Sequence, residues 1–298
     1  MEIWRKYLVG KNMKLSETSK RSYESDIYQW FIFILDRYNN KCIFDINAED
    51  MSEIIEDYVA FCSSVLNNKT KRIARRLSSI SSIYVYYKKK RKIKDNPLEL
   101  IERPQADHIY EIRQTFLSKE QVELIKSTLK KSKDLQLELF FCLGLSCMAR
   151  VNALSNIKIE KINLTERIIE DVIEKEGYEV TLFFSAECAE LIKKWIDYRK
   201  KNNIENEYLF ITRFSGEWVK VDKSVMQKNW IKKIGKIINE PELHCHDLRH
   251  SGSNLLFQAG MPIESVSKLL NHAGLDVTKL YITIDKDKIK NEKDQFET

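Results

Sequence analysis

Glycine and proline are scarce in this chain, with 8 and 4 residues among 298. So few turn formers cannot serve the many tight reversals of an all-β sandwich or barrel, so the fold is expected to be mainly α. Long apolar runs are missing as well. No stretch of about 18 apolar residues offers a membrane span, and the N-terminal MEIWRKYLVG lacks the apolar core and small-residue cleavage site of a secretory signal. A cytoplasmic protein without a membrane partner is expected. The six cysteines, Cys42, Cys62, Cys142, Cys147, Cys188 and Cys245, include no C-x-x-C pair and read as reduced, mostly buried residues. His244, Cys245 and His246 are neighbours in sequence and cannot converge on one tetrahedral ion without a tight turn, so no metal is expected there.

What is present describes a globular chain long enough for two domains, with 43% hydrophobic and 32% charged residues. The formal charge is +6, and it is unevenly placed. Residues 1–105 hold 20 Lys and Arg against 14 Asp and Glu, whereas residues 106–298 hold 30 of each. A polyanionic partner is therefore suggested for the first third.

That first third, residues 1–104, reads as a helical bundle. Ile27, Trp30, Phe31, Ile34 and Leu35 recur at helical spacing, and Asn47 is placed to cap a helix whose apolar face is Ile54, Tyr58, Val59 and Cys62. A third helix from about Asn68 carries Ile73, Leu77, Ile80 and Tyr84 on one side. Lys69, Lys71, Arg72, Arg75 and Arg76 make it basic, and serines at 78, 79, 81 and 82 keep its middle slim, as suits an element lying along a phosphate backbone. The alternative is an ordinary solvated charged face. Pro97 and Pro104 lead into an interdomain linker at 105–116, after which Ser118 and Gln121 form a capping box that opens a second domain, 117–298. LELFFCLGLSCMARVNAL is apolar enough for its central helix, and the alternating segment from Arg167 to Ser185, broken at Glu176-Gly177, predicts a β-hairpin. The fold class is thus mainly α with a small antiparallel sheet (α+β).

The most informative stretch is HCHDLRHSGSNLLFQAGMPIESVSKLLNHAGLDVTKLYITI. His246 and Arg249 stand as H-x-x-R, and Tyr281 follows His272 by nine residues. In this pattern the chain resembles the tyrosine recombinase (phage integrase, Xer-like) family. The resemblance extends upstream: ARVNALSNIKIEKINL places Arg150 at the family's first catalytic arginine, Lys175 matches the lysine carried on the β-turn, and residues 15–104 are similar to the helical core-binding domain.

The resemblance implies a catalytic set of Arg150, Lys175, His246, Arg249, His272 and Tyr281. Tyr281 would attack a backbone phosphate and hold the 3′ end covalently, without metal or nucleotide. A phenol has a pKa near 10, so about one molecule in a thousand is ionised at pH 7, a deficit of roughly 4 kcal/mol. His246 would accept the proton, Arg150 and Arg249 would clamp the non-bridging oxygens, Lys175 would protonate the leaving 5′ oxygen and His272 would donate to the phosphate. His250 is assigned to support. No cofactor is implied. The implied partners are double-stranded DNA and a homotetramer on it, the C-terminal tail docking on a neighbouring subunit and two domains closing as a clamp. The short N-terminus favours a simple Xer-like or small mobile-element enzyme. The rival functions are a type IB topoisomerase-like relaxation of DNA and a DNA-binding module with impaired catalysis. The family pattern also puts Thr-Gly before the first arginine and a carboxylate after it. Cys147-Met148-Ala149 and Ala153 stand there instead, so a flexible turn and a supporting acid are expected to be missing around Arg150.

Overall fold

The computed structural model describes residue 7 and residues 17–38, 43–104, 116–174 and 177–270. The chain divides into two compact units, residues 1–112 and 113–298. Among the described residues no helix is long and apolar enough to cross a membrane. The linker read at 105–116 lies almost wholly outside the described residues.

In the first unit, helices α1 (Glu17–Arg37), α2 (Ala48–Ser64) and α3 (Thr70–Lys89) enclose a core of Trp30, Phe33, Ile34, Ile55, Tyr58, Cys62, Leu77 and Ile80. Asn47 caps α2 as its sequence predicts, its side chain accepting from the Asp50 amide at 2.7 Å. Leu35, by contrast, is exposed. Helix α3 packs against both α1 and α2, so it is buried on more than the side that Ile73, Leu77, Ile80 and Tyr84 define. That arrangement corrects the expected use of its polar residues. Arg76 is 3% exposed, with its Nη1 donating to the Tyr58 hydroxyl at 3.0 Å and to Gln29. Ser79 and Ser81 are buried too: Ser79 donates to Asp26 at 3.1 Å and Ser81 accepts from Asn96 at 3.1 Å. Ser79 and Ser81 therefore admit neighbouring protein rather than a phosphate backbone, while Ser78 stays exposed. Arg75 stays half exposed while bonding the buried Asp26 at 2.9 Å, and Lys69, Lys71 and Arg72 remain exposed.

The second unit is built around α5 (Leu135–Ser146), which is apolar on all sides because α4 (Lys119–Ser132), α7 (Ala186–Lys201) and α9 (Cys245–Gln258) pack around it. The Ser118–Gln121 capping box opens α4 as predicted. After α5 the chain turns through Cys147–Arg150 into the short α6 (Val151–Asn156). Strands β1 (Ile162–Asn163), β2 (Ile168–Ile173) and β3 (Glu179–Phe183) follow as one antiparallel sheet in sequence order, with Ile169 opposite Leu182 and Val172 opposite Val180. The predicted hairpin is present. A second hairpin, β4 (Ile211–Phe214) and β5 (Glu217–Lys220), turns at Ser215 and Gly216, both at positive φ. A π-helical turn, Met226–Trp230, leads into α8 (Ile231–Ile237). Helix α9 begins at Cys245, so the H-x-x-R lies on its first turns, and α10 (Ile263–Leu269) follows Pro262. The five described cysteines are free and buried.

Two glycines set the distance between α5 and α9. A Cβ on Gly144 would meet Leu248 Cδ1 at 2.7 Å, and one on Gly252 would meet the Leu145 carbonyl oxygen at 2.1 Å. Alanine gains about 1 kcal/mol over glycine in a helix interior. Overpacking against an immovable backbone oxygen costs about 1–3 kcal/mol or more and prevails. Gly252→Ala is therefore expected to lower stability by roughly 1–3 kcal/mol. Urea denaturation would check this, an unchanged or raised midpoint counting against the close crossing.

Candidate active site

The close crossing brings the start of α9 against the turn that leaves α5. On α9, His246, Arg249 and His250 follow at three- and four-residue spacing and share one face. Arg249 is 2% exposed, with Nη1 donating to the Met148 carbonyl at 2.7 Å and Nη2 to the Leu270 carbonyl at 2.6 Å. One guanidinium thus ties the turn ahead of Arg150 to the end of α10. The His250 ring stands edge-on to His246, with centroids 4.6 Å apart.

The turn itself corrects one expectation. Met148 stands where the family pattern has glycine, yet its φ is +50°, so the left-handed turn is kept without glycine. A non-glycine residue pays about 1 kcal/mol for that conformation. The offset is visible: the side chain is buried with Val266 and Leu270, and the carbonyl is fixed by Arg249. The second expectation, of a missing acid, is also corrected. Arg150 at the N-cap of α6 pairs its Nη1 with Glu174, at the end of β2. The arginine side chain is 40% exposed and the glutamate 7%. Sequence reading missed Glu174 because strict alternation from the buried Ile169 would turn residue 173 inward and 174 outward. A bulge between Ile169 and Val172, with Asp171 at φ +50°, reverses this: Ile173 is 49% exposed and Glu174 is buried. The left-handed Asp171 was the available signal, since aspartate is among the residues that tolerate that conformation.

The structure therefore brings Arg150, His246 and Arg249 together. Lys175, His272 and Tyr281 lie outside the described residues, and the tail expected to dock on a neighbour does too. His246 still reaches solvent, but partial desolvation by the surrounding protein, followed by the charges of Arg249 and Arg150, pushes its pKa below the ordinary 6.5. A neutral imidazole at pH 7 can accept a proton.

The sign of the linkage follows. As pH falls below 6.5 the unfolded chain takes up the proton before the folded one, so stability declines until the lowered folded pKa is passed. In proton NMR the His246 ring is expected to titrate below 6.5, moving back up towards it in Arg150→Ala. A midpoint at or above 6.5 in the parent protein would remove the electrostatic coupling.

The chain is similar to known proteins of one family. The sequence profile of the phage integrase family matches residues 115–288. A tyrosine recombinase of Pseudothermotoga lettingae is 26% identical over 282 residues, covering 92% of this chain and 91% of that protein. The tyrosine recombinase XerC of Staphylococcus saprophyticus is 23% identical over 291 residues, covering 95% and 92%. Among solved structures, a Tn1549 transposon integrase in complex with a circular intermediate DNA superposes with a TM-score of 0.74 at 17% identity, covering 99% of this chain and 98% of that one. That likeness is one of fold. With the family profile spanning more than half of its length, over the unit that carries Arg150, His246 and Arg249, the chain belongs to the phage integrase family of tyrosine recombinases.

Proposed function

We propose that this chain is a site-specific DNA recombinase that cuts and rejoins duplex DNA through a 3′-phosphotyrosine at Tyr281. The observation that carries the proposal is the Arg249 clamp on the Met148 carbonyl, which ties the turn leading into the part-exposed Arg150 to the helix face that bears His246. Arg150 meets the charge that builds on a phosphate as it is attacked, and the buried Arg249, whose Nη1 and Nη2 are held by backbone carbonyls, adds to it through its field, so no step needs a metal. His246 takes the phenolic proton, and the lowered pKa keeps it available at neutral pH. Arg150, 40% exposed, is reachable by a non-bridging oxygen. Lys175 supplies the proton to the departing 5′ oxygen and His272 a further donor, both as the family pattern implies. The same chemistry would serve a topoisomerase-like swivelase, but nothing in the site favours that outcome over recombination.

Double-stranded DNA is the proposed partner, bound in the cytoplasm by four copies of the chain. The C-terminal residues 284–298 are proposed to dock on a neighbouring copy, in an Xer-like or mobile-element setting. In the first unit the DNA-facing cations are proposed to be Lys69, Lys71, Arg72 and the half-exposed Arg75. Arg76 is left out because its guanidinium is occupied inside the bundle.

Two experiments test this. A duplex selected by the full chain from a random-sequence library, then nicked beside the cleavage position, should trap a covalent adduct that Tyr281→Phe abolishes. An adduct that survives the substitution, or none with the parent chain, would overturn the assignment. Replacing Lys71 and Arg72 by alanine should weaken binding and lower the slope of log K against log salt by about two, since each phosphate contact contributes roughly 0.9. An unchanged slope would make these residues a solvated surface.

A further inference from the structure

The pairing of Arg150 with Glu174 has no counterpart in the catalytic set proposed above. Two contacts fasten the end of β2 to α6. Asn156 Nδ2 donates to the Ile173 carbonyl at 2.7 Å, and one residue further Glu174 receives the Arg150 guanidinium. The Glu174 amide in turn donates to the Tyr178 carbonyl at 2.8 Å, fixing the end of β2 to the residue before β3. The carboxylate engages Nη1 alone, so Nε and Nη2 of Arg150 carry no partner among the described residues. An arginine side chain left to itself samples many rotamers, whereas one held by a buried carboxylate presents its remaining donors in one direction.

We propose that Glu174 is the positioning residue for Arg150. Buried by the bulge in β2, it holds the guanidinium ready for the scissile phosphate and ties that arginine to the end of the strand. It acts through Arg150, and the proposal rests on the recombinase function above. The same carboxylate leaves Arg150 partly neutralised, so the pair grips a charged oxygen by direction as much as by net charge.

The test compares the parent chain with Glu174→Gln on the selected nicked duplex and on the same duplex with a methylphosphonate at the scissile position. The methylphosphonate is uncharged and lacks one of the oxygens an arginine would grip. On ordinary DNA the variant is expected to bind with an apparent Kd within about threefold of the parent. Its rate of adduct formation at saturating protein should fall by about 10- to 100-fold, the range seen when groups that orient catalytic ligands are removed. On the methylphosphonate the deficit should shrink towards unity, because the positioned charge no longer has its target. A rate like the parent's on ordinary DNA would overturn the role of Glu174 while leaving the recombinase intact. An equal deficit on both substrates would make Glu174 structural only. Failure of the parent chain to form any adduct would remove the recombinase reading and this proposal together. If Glu174→Gln does not fold, Glu174→Asp carries the same comparison with a smaller expected deficit.

Discussion

The contact on which the second unit depends is the close approach of α9 to the C-terminal end of α5. It requires an absence of side chain at Gly252, where a Cβ would meet the Leu145 carbonyl oxygen. Because the two backbones come this near, Arg249 can reach across to the Met148 carbonyl and lock a left-handed residue that is not glycine. Burying a guanidinium is expensive unless its donors find acceptors, and two backbone carbonyls supply them here. The packing and the charge are therefore one problem: a wider crossing would leave Arg249 without Met148 and the turn before Arg150 without its clamp.

That geometry also explains how a unit with balanced charge can handle a phosphate. Arg249 is held there by backbone carbonyls and Arg150 by one carboxylate, and burial followed by these two charges lowers the pKa of His246. The excess of cations in the first unit, +6 over residues 1–105, is of another kind. Lys69, Lys71 and Arg72 are exposed and suited to long-range attraction, which is screened by salt. Arg76 shows that net charge overstates this surface, since a cation spent on Tyr58 and Gln29 adds to the sum and little to the field outside.

Much of the fold was legible because local chemistry decided it. Asn47 and Ser118 announce their helices through side-chain caps, the apolar run from 137 reads as a buried helix although the structure ends it at Ser146 rather than carrying it to Leu154, and the β2–β3 hairpin follows from alternation and its Glu-Gly break. The misreadings share a cause, which is that a residue's own type does not reveal its neighbour. Ser79 and Arg76 look like a polar surface until α1 and α2 are seen to pack on both sides of α3. The β4–β5 hairpin was passed over although Ser215-Gly216 is a turn signal, because its four-residue strands are too short for alternation to stand out. His246 was found through the H-x-x-R spacing, and Arg150 through the resemblance of its segment to the family. The acid beside Arg150 was not, since it comes from a strand two elements away.

The bulge in β2 carries one more implication. Whether Glu174 or Ile173 meets Arg150 is decided by the count of residues between the sheet register at Ile169 and the end of the strand, not by the identity of either side chain. A single-codon deletion at Glu170 or Asp171 would leave both residues in place in any alignment of identities while exchanging which of them turns inward. In lineages of this protein, insertions and deletions in that strand should therefore be scarcer than substitutions, because a change of length there rewires a charge that a change of letter would spare.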